Sequence, residues 1–144
     1  MKTLLVPIDF SSATDAVVAT AAELSKTLKA RIVLAHVVRP PVLVAEYGGA
    51  MEGATATLEA SEAAAGKLLA RWQGVLRKRK IAAQAVQLGG FPASEILRQA
   101  KKSKASMIVM GSHGHTAFYD LIIGGTAGGV LRKAPCPVLI VPVR

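Results

Sequence analysis

A chain of 144 residues, 51% of them hydrophobic, can bury one substantial core and is too short for two ordinary domains, so residues 1–144 are read as one domain. No apolar run approaches the roughly 18 residues of a membrane-spanning helix, and the first ten residues lack a secretory signal's apolar segment and cleavage site. The single cysteine, Cys136, excludes an internal disulfide or a cysteine-rich metal site, and together these features predict a soluble cytoplasmic protein with no membrane partner.

Thr3 to Ile8 reads as a buried strand ending at Asp9, with Ser11 or Ser12 placed to cap a helix whose apolar positions Ala13, Val17, Ala21, Leu24 and Leu28 recur at helical spacing as far as Ala30. Arg31 to Val38 is a second strand, stopped by Pro40-Pro41. Residues 40–53 carry two prolines and three glycines without a sustained period, which predicts a mobile loop or lid. From Ala54 to Arg79, Leu58, Ala65, Leu68, Leu69, Trp72, Val75 and Leu76 mark a long amphipathic helix, in which Gly66 and Gly74 each cost about 1 kcal/mol relative to Ala and require compensation by packing. Ile81 to Leu88 is a third strand. Gly89-Gly90-Phe91 leads to Pro92, suited to the first turn of a helix carrying Ile96, Leu97 and Ala100.

Ser106 to Met110 is a fourth strand, almost free of polar atoms and therefore suited to burial on both faces. Gly111-Ser112-His113-Gly114 follows, then Gly124-Gly125-Thr126 after a further nine residues, a helix over Thr126 to Lys133, and a fifth strand over Pro137 to Val141. Glycine in both places lets backbone amides turn toward a bulky anion, and the unpaired amides of the helix N-terminus add partial positive charge there. This is the chemistry of a phosphate cradle. Gly128 and Gly129 read as points of close helix packing rather than ligand contacts. His113 and His115 lie in the loop, and Cys136 between two prolines reads as a small buried hydrophobe.

Strands alternating with helices predict an α/β fold, a doubly wound five-stranded parallel sheet with right-handed crossovers and helices on both faces. Ligands of such sheets bind beyond the carboxyl ends of the strands where the strand order reverses, and Asp9, Val37 and the glycine turns all fall at carboxyl ends. Asp9 is an acceptor for one side of that crevice, although it would equally form an Asx turn or cap the first helix. A Walker A loop is excluded because Val130-Leu131 follow the last glycine, and a dinucleotide fingerprint because Asp9-Phe10-Ser11 follow the first strand.

The net charge of +9 is unevenly placed. Residues 1–62 hold five Lys/Arg and seven Asp/Glu, residues 63–144 thirteen and two. Many of these cations fall late in predicted helices, where they complement the macrodipole. A polyanion-binding face is the competing reading, but of the few aromatic residues only Trp72 lies among the basic ones, so nucleic acid is not the expected partner.

Over essentially its whole length the chain resembles the universal stress proteins. The likeness is carried by Val6-Pro7-Ile8-Asp9-Phe10-Ser11, His36-Val37, Gly90-Phe91-Pro92, Met110-Gly111-Ser112-His113-Gly114 with Gly124 ten residues on, and the ending Cys136-Pro137-Val138-Leu139-Ile140-Val141-Pro142. The resemblance implies a sheet of order 3-2-1-4-5, a homodimer joined through the last strand (Val138, Leu139, Ile140, Val141) in antiparallel pairing, and ATP with magnesium in the crevice. It implies adenine and ribose contacts at Pro7, Ile8, Asp9 and Val37, and phosphate contacts at Met110, Gly111, Gly114, Gly124 and Gly125, with His113 in the same loop. The ATP-binding branch of the family has Ser or Thr directly after the third glycine; here Gly125 occupies that place and Thr126 follows. The function this implies is an adenine-nucleotide-binding stress-response regulator acting through occupancy and dimerisation. The alternatives are a degenerate dimeric interaction module that binds no nucleotide, favoured by Gly125, and a slow ATP hydrolase. Hydrolysis finds no evident base: Asp9 would sit at the nucleoside end, Asp120 lies in a segment of uncertain direction, and no Lys or Arg stands inside the glycine loop.

Overall fold

The computed structural model describes residues 1–40, 51–113 and 123–142. Strands and helices alternate throughout: β1 (Thr3–Pro7), α1 (Thr14–Leu28), β2 (Arg31–Val38), α2 (Met51–Lys78), β3 (Ala83–Gly89), α3 (Pro92–Lys102), β4 (Met107–Gly111), α4 (Gly125–Lys133) and β5 (Val138–Val141). The five strands form one parallel sheet in the order β3-β2-β1-β4-β5. This is the α/β architecture and strand order expected.

Side chains alternate across a strand, and the central strands are apolar on both faces because both are covered. Leu4, Val6, Ile32, Leu34 and Val109 pack with Val17, Ala21, Leu69 and Leu76 on the face of α1 and α2. Leu5, Val33, Ala35, Ile108 and Met110 pack with Ile96, Ala100, Ala127 and Val130 on the face of α3 and α4. Burial of this kind contributes about 1.5–3 kcal/mol for each large aliphatic side chain. Cys136 packs at the margin of the second cluster, and burial pushes its thiol pKa up, partly opposed by a backbone bond to Ile108.

The long helix α2 is tied to the edge strand β3 by two amides: Gln73 Nε2 donates to the Ala83 carbonyl (2.9 Å) and Gln87 Nε2 to the Glu62 carbonyl (2.8 Å). These bonds, with burial of Ala65, Leu69 and Leu76, supply the compensation that Gly66 and Gly74 demand. Of Gly128 and Gly129 in α4, only Gly129 is a point of close packing: a Cβ there would lie 3.0 Å from the Ala93 Cβ of α3, whereas one at Gly128 meets nothing within 4 Å among the described residues.

Several boundaries differ from the sequence reading. Residues 51–53 form the first turn of α2 rather than part of a loop, and the Gly53 carbonyl accepts the Thr57 hydroxyl (2.8 Å); the rest of the expected lid, 41–50, lies outside the described residues. β3 begins two residues after Ile81, which instead closes the end of α2 by donating to the Leu76 carbonyl (3.1 Å). α4 starts at Gly125, one residue early. No helix among the described residues is long and apolar enough to cross a membrane.

Candidate functional site

All five strands end at one edge of the sheet, and the strand order reverses between β1 and β4, which is where a crevice opens in doubly wound folds. Here it is a cavity of about 1060 Å³. Its wall brings together Pro7, Ile8 and Asp9 from the end of β1, Val37 from β2, Met110, Gly111 and His113 from β4 and its turn, and Gly124, Gly125 and Thr126 from the start of α4. Gly114, His115 and Asp120 lie outside the described residues.

The two glycine turns touch. Gly124 N–H donates to the Ser112 carbonyl (2.7 Å), and Ser112 N–H donates to the Val141 carbonyl (3.0 Å), which anchors the turn to β5. A Cβ at Gly124 would lie 3.1 Å from the Ser112 oxygen and 3.4 Å from the His113 Cα, so only glycine lets the two backbones come this close. Ser112 Oγ lies 3.1 Å from His113 Nδ1. α4 has no side-chain cap, and Gly128 N–H is the first to find an acceptor within the helix, the Gly124 carbonyl (2.9 Å). The Gly125, Thr126 and Ala127 amides therefore have no acceptor in the helix, and all three residues line the cavity. Together with the macrodipole they place roughly half a positive charge at this wall.

Across the cavity, Asp9 Oδ1 accepts the Ser11 N–H (3.0 Å), while Ser11 Oγ and carbonyl accept the Ala13 (3.3 Å) and Thr14 (3.1 Å) amides. Asp9 thus forms the Asx turn that starts α1 and lines the cavity as well. Sequence reasoning missed the residues around it. Phe10 is held at φ 62°, a left-handed conformation costing a non-glycine residue about 1–2 kcal/mol, and its ring packs on that of His36 with centroids 4.3 Å apart. His36 Nδ1 donates to the Ile8 carbonyl (2.7 Å), which fixes the proton on that nitrogen. This bond also shapes the end of the sheet. Ile8 N–H donates to the Ala35 carbonyl (2.8 Å), and the next acceptor of that ladder, the Ile8 oxygen, is engaged by the His36 ring, leaving the Val37 peptide at the open end of β2. A lone polar residue in an apolar strand was the available signal for His36.

Two further residues gave no such signal. Arg39 lines the cavity and is, with Asp9, a charged group of the described wall. Thr14 Oγ1 is buried in the wall and has no hydrogen-bond partner among the described residues. No group of three or more His, Cys, Asp or Glu among the described residues is placed to hold a metal ion.

A family model, that of the universal stress protein family, matches residues 1–142. A universal stress protein of Thermus aquaticus is 34% identical over 143 residues, covering 97% of this chain and 98% of that one. One from Methanocaldococcus jannaschii is 46% identical over 54 residues, which span 38% of this chain and only 32% of its own length. Among solved structures, UspA of Lactobacillus plantarum matches with a TM-score of 0.87 at 22% identity over 97% of both chains. The M. jannaschii protein MJ0577 matches at 0.86 and 25% identity over 99% of this chain and 96% of that one. A universal stress protein solved with cAMP (TM-score 0.71, covering 98% of this chain and 96% of that one) and an Archaeoglobus fulgidus one solved with dAMP (0.68, covering 97% of each) share the fold, each at 20% identity. With a family model spanning almost every residue and a relative related along its whole length, the chain belongs to the universal stress protein family.

Proposed function

We propose that the protein binds an adenine nucleotide, ATP with magnesium in the resting case, and acts by occupancy rather than by turnover. The observation that carries this is the hydrogen bond from Gly124 to Ser112, which joins the two glycine turns beside the uncapped α4 amides and opposite Asp9. In this reading Pro7, Ile8, Asp9 and the Val37 peptide hold the base and ribose, and Met110, Gly111, Gly114, Gly124 and Gly125 hold the phosphates with His113 and Thr126 alongside. Magnesium would arrive on the phosphates, since the ion readily keeps its waters and needs few protein ligands. The relatives solved with cAMP and dAMP support adenine as the base. Occupancy of the cavity changes the surface offered to partners, including a second copy of the chain joined through β5.

Calorimetry and thermal shift with ATP, AMP, cAMP and GTP test the reading. An adenine-selective rise in melting temperature that Asp9→Ala removes is expected. No binding by any adenine nucleotide at millimolar concentration would leave the degenerate interaction module, and many turnovers per minute would make the protein an enzyme.

A further inference from the structure

Because every helix runs back from the C-terminal to the N-terminal edge of the parallel sheet, all four helix C-termini lie at the pole opposite the cavity. From the last turn of each helix to the first residue of the next strand, with Met1–Thr3 added, the chain holds thirteen of its 18 Lys/Arg and none of its nine Asp/Glu. Glu23, further back along α1, is the nearest acid in the chain to these segments. Among the described residues none of these cations is in an ion pair; the one pair, Arg98 with Glu95, belongs to α3 nearer the cavity.

Three helices end in the same way. Lys29, Lys80 and Lys104 sit at φ 52°, 60° and 51°, Lys29 directly after α1 and the other two at the second residue past α2 and α3. In each case the following residue closes the helix: Ala30 N–H donates to the Ser25 carbonyl (2.9 Å), Ile81 to Leu76 (3.1 Å) and Ala105 to Ala100 (2.9 Å). Glycine is the unstrained residue at such a left-handed cap. The macrodipole gives no reason to choose lysine there, because a cation anywhere in the last turn satisfies it, and α1, α2 and α3 already carry Lys26, Arg77 and Lys78, and Lys101 and Lys102 in those turns. The chain thus accepts backbone strain three times to place an exposed cation at one pole.

We infer that this pole is a docking surface for the phosphate backbone of double-stranded nucleic acid, read for charge and not for sequence. Five strands spaced about 4.8 Å apart make the pole roughly 20 Å wide, and a duplex carries one phosphate per roughly 1.7 Å of axis, about a dozen over that width. The thirteen cations of the pole are close in number to those phosphates. The scarcity of aromatics that set nucleic acid aside in the sequence reading argues only against unpaired bases and a lipid interface, on which aromatics would stack or settle; a duplex, its bases already stacked, needs none. This inference is independent of the nucleotide reading.

The test is fluorescence anisotropy of a labelled mixed-sequence duplex of about 20 base pairs, titrated at several salt concentrations with the wild type and with the triple variant Lys29→Gly, Lys80→Gly, Lys104→Gly. The wild type should bind with log K falling linearly in log salt, and the triple variant, melting no lower than wild type, should bind more weakly with a slope shallower by about three. Should the glycine variant fail to fold, the matching Lys→Asn variant, which also tolerates the left-handed conformation, takes its place. Absence of duplex binding at low salt, an unchanged slope in the folded triple variant, or tighter binding to phosphatidylserine vesicles than to duplex would each overturn the inference.

Discussion

In the proposed nucleotide site, position 125 carries glycine where a Ser or Thr hydroxyl would meet a phosphate, and it is also where a side chain has room. Among the described residues a Cβ at Gly125 meets nothing within 4 Å, so serine enters the first turn of α4 without displacing any of them. A hydroxyl bonded to a charged phosphate contributes about 1.5–3 kcal/mol. Gly125→Ser should therefore tighten ATP binding about tenfold to a hundredfold by calorimetry, and an unchanged affinity would mean that Thr126 already fills the role. Thr14 presents the converse case. Its hydroxyl is buried without a partner among the described residues, and a buried unsatisfied group costs about 1–3 kcal/mol, so Thr14→Val should raise the stability of the free protein by about 1 kcal/mol in urea unfolding. Asp9 and the glycines were legible in the sequence because their type and place at strand ends already imply a turn or a ligand. Thr14, Phe10 and the His36 bond to Ile8 were not, because each depends on a neighbour or a backbone angle that no local pattern records.

Elements were legible where burial dictated composition. β1, β2 and β4 are covered on both faces and read as unbroken apolar runs, whereas β3 lies at an edge, half exposed, and its start was misplaced because Ile81 is buried for another reason, closing α2. Adjacent glycines in α4 show how packing overrides helix propensity. In open space Gly→Ala within a helix gains about 1 kcal/mol, which is the expectation for Gly128→Ala. At Gly129 the new methyl group would meet the Ala93 Cβ at 3.0 Å, and that atom is fixed to the backbone of α3 and cannot swing aside. Overpacking costs about 1–3 kcal/mol, so Gly129→Ala should be net destabilising by about 1 kcal/mol. Thermal melts of the two variants moving in opposite directions would check this; parallel shifts would mean that the α3–α4 contact is soft.

At the level of the whole molecule, alternation of strands and helices was enough to predict a parallel doubly wound sheet, but the strand order came from the resemblance, since periodicity does not record which strands are neighbours. The same order puts β5 at an edge. Ile108 N–H donates to the Pro137 carbonyl (2.9 Å) and Ser112 N–H to the Val141 carbonyl (3.0 Å), so alternate residues of β5 face β4, and the backbone groups of Val138 and Ile140 face outward. An apolar edge with open donors invites another strand. In the proposed dimer, antiparallel pairing of two β5 strands would also send the two cationic poles to opposite ends, which separates like charge on chains of net +9. Proline is tolerated at an edge position whose N–H faces away from its sheet, so Ile140→Pro should leave the β4–β5 bonds in place while removing a donor from the dimer contact. Light scattering after size exclusion should find a dimer for the wild type at micromolar concentration and a folded monomer for Ile140→Pro. A folded variant that remains dimeric would move the contact away from β5.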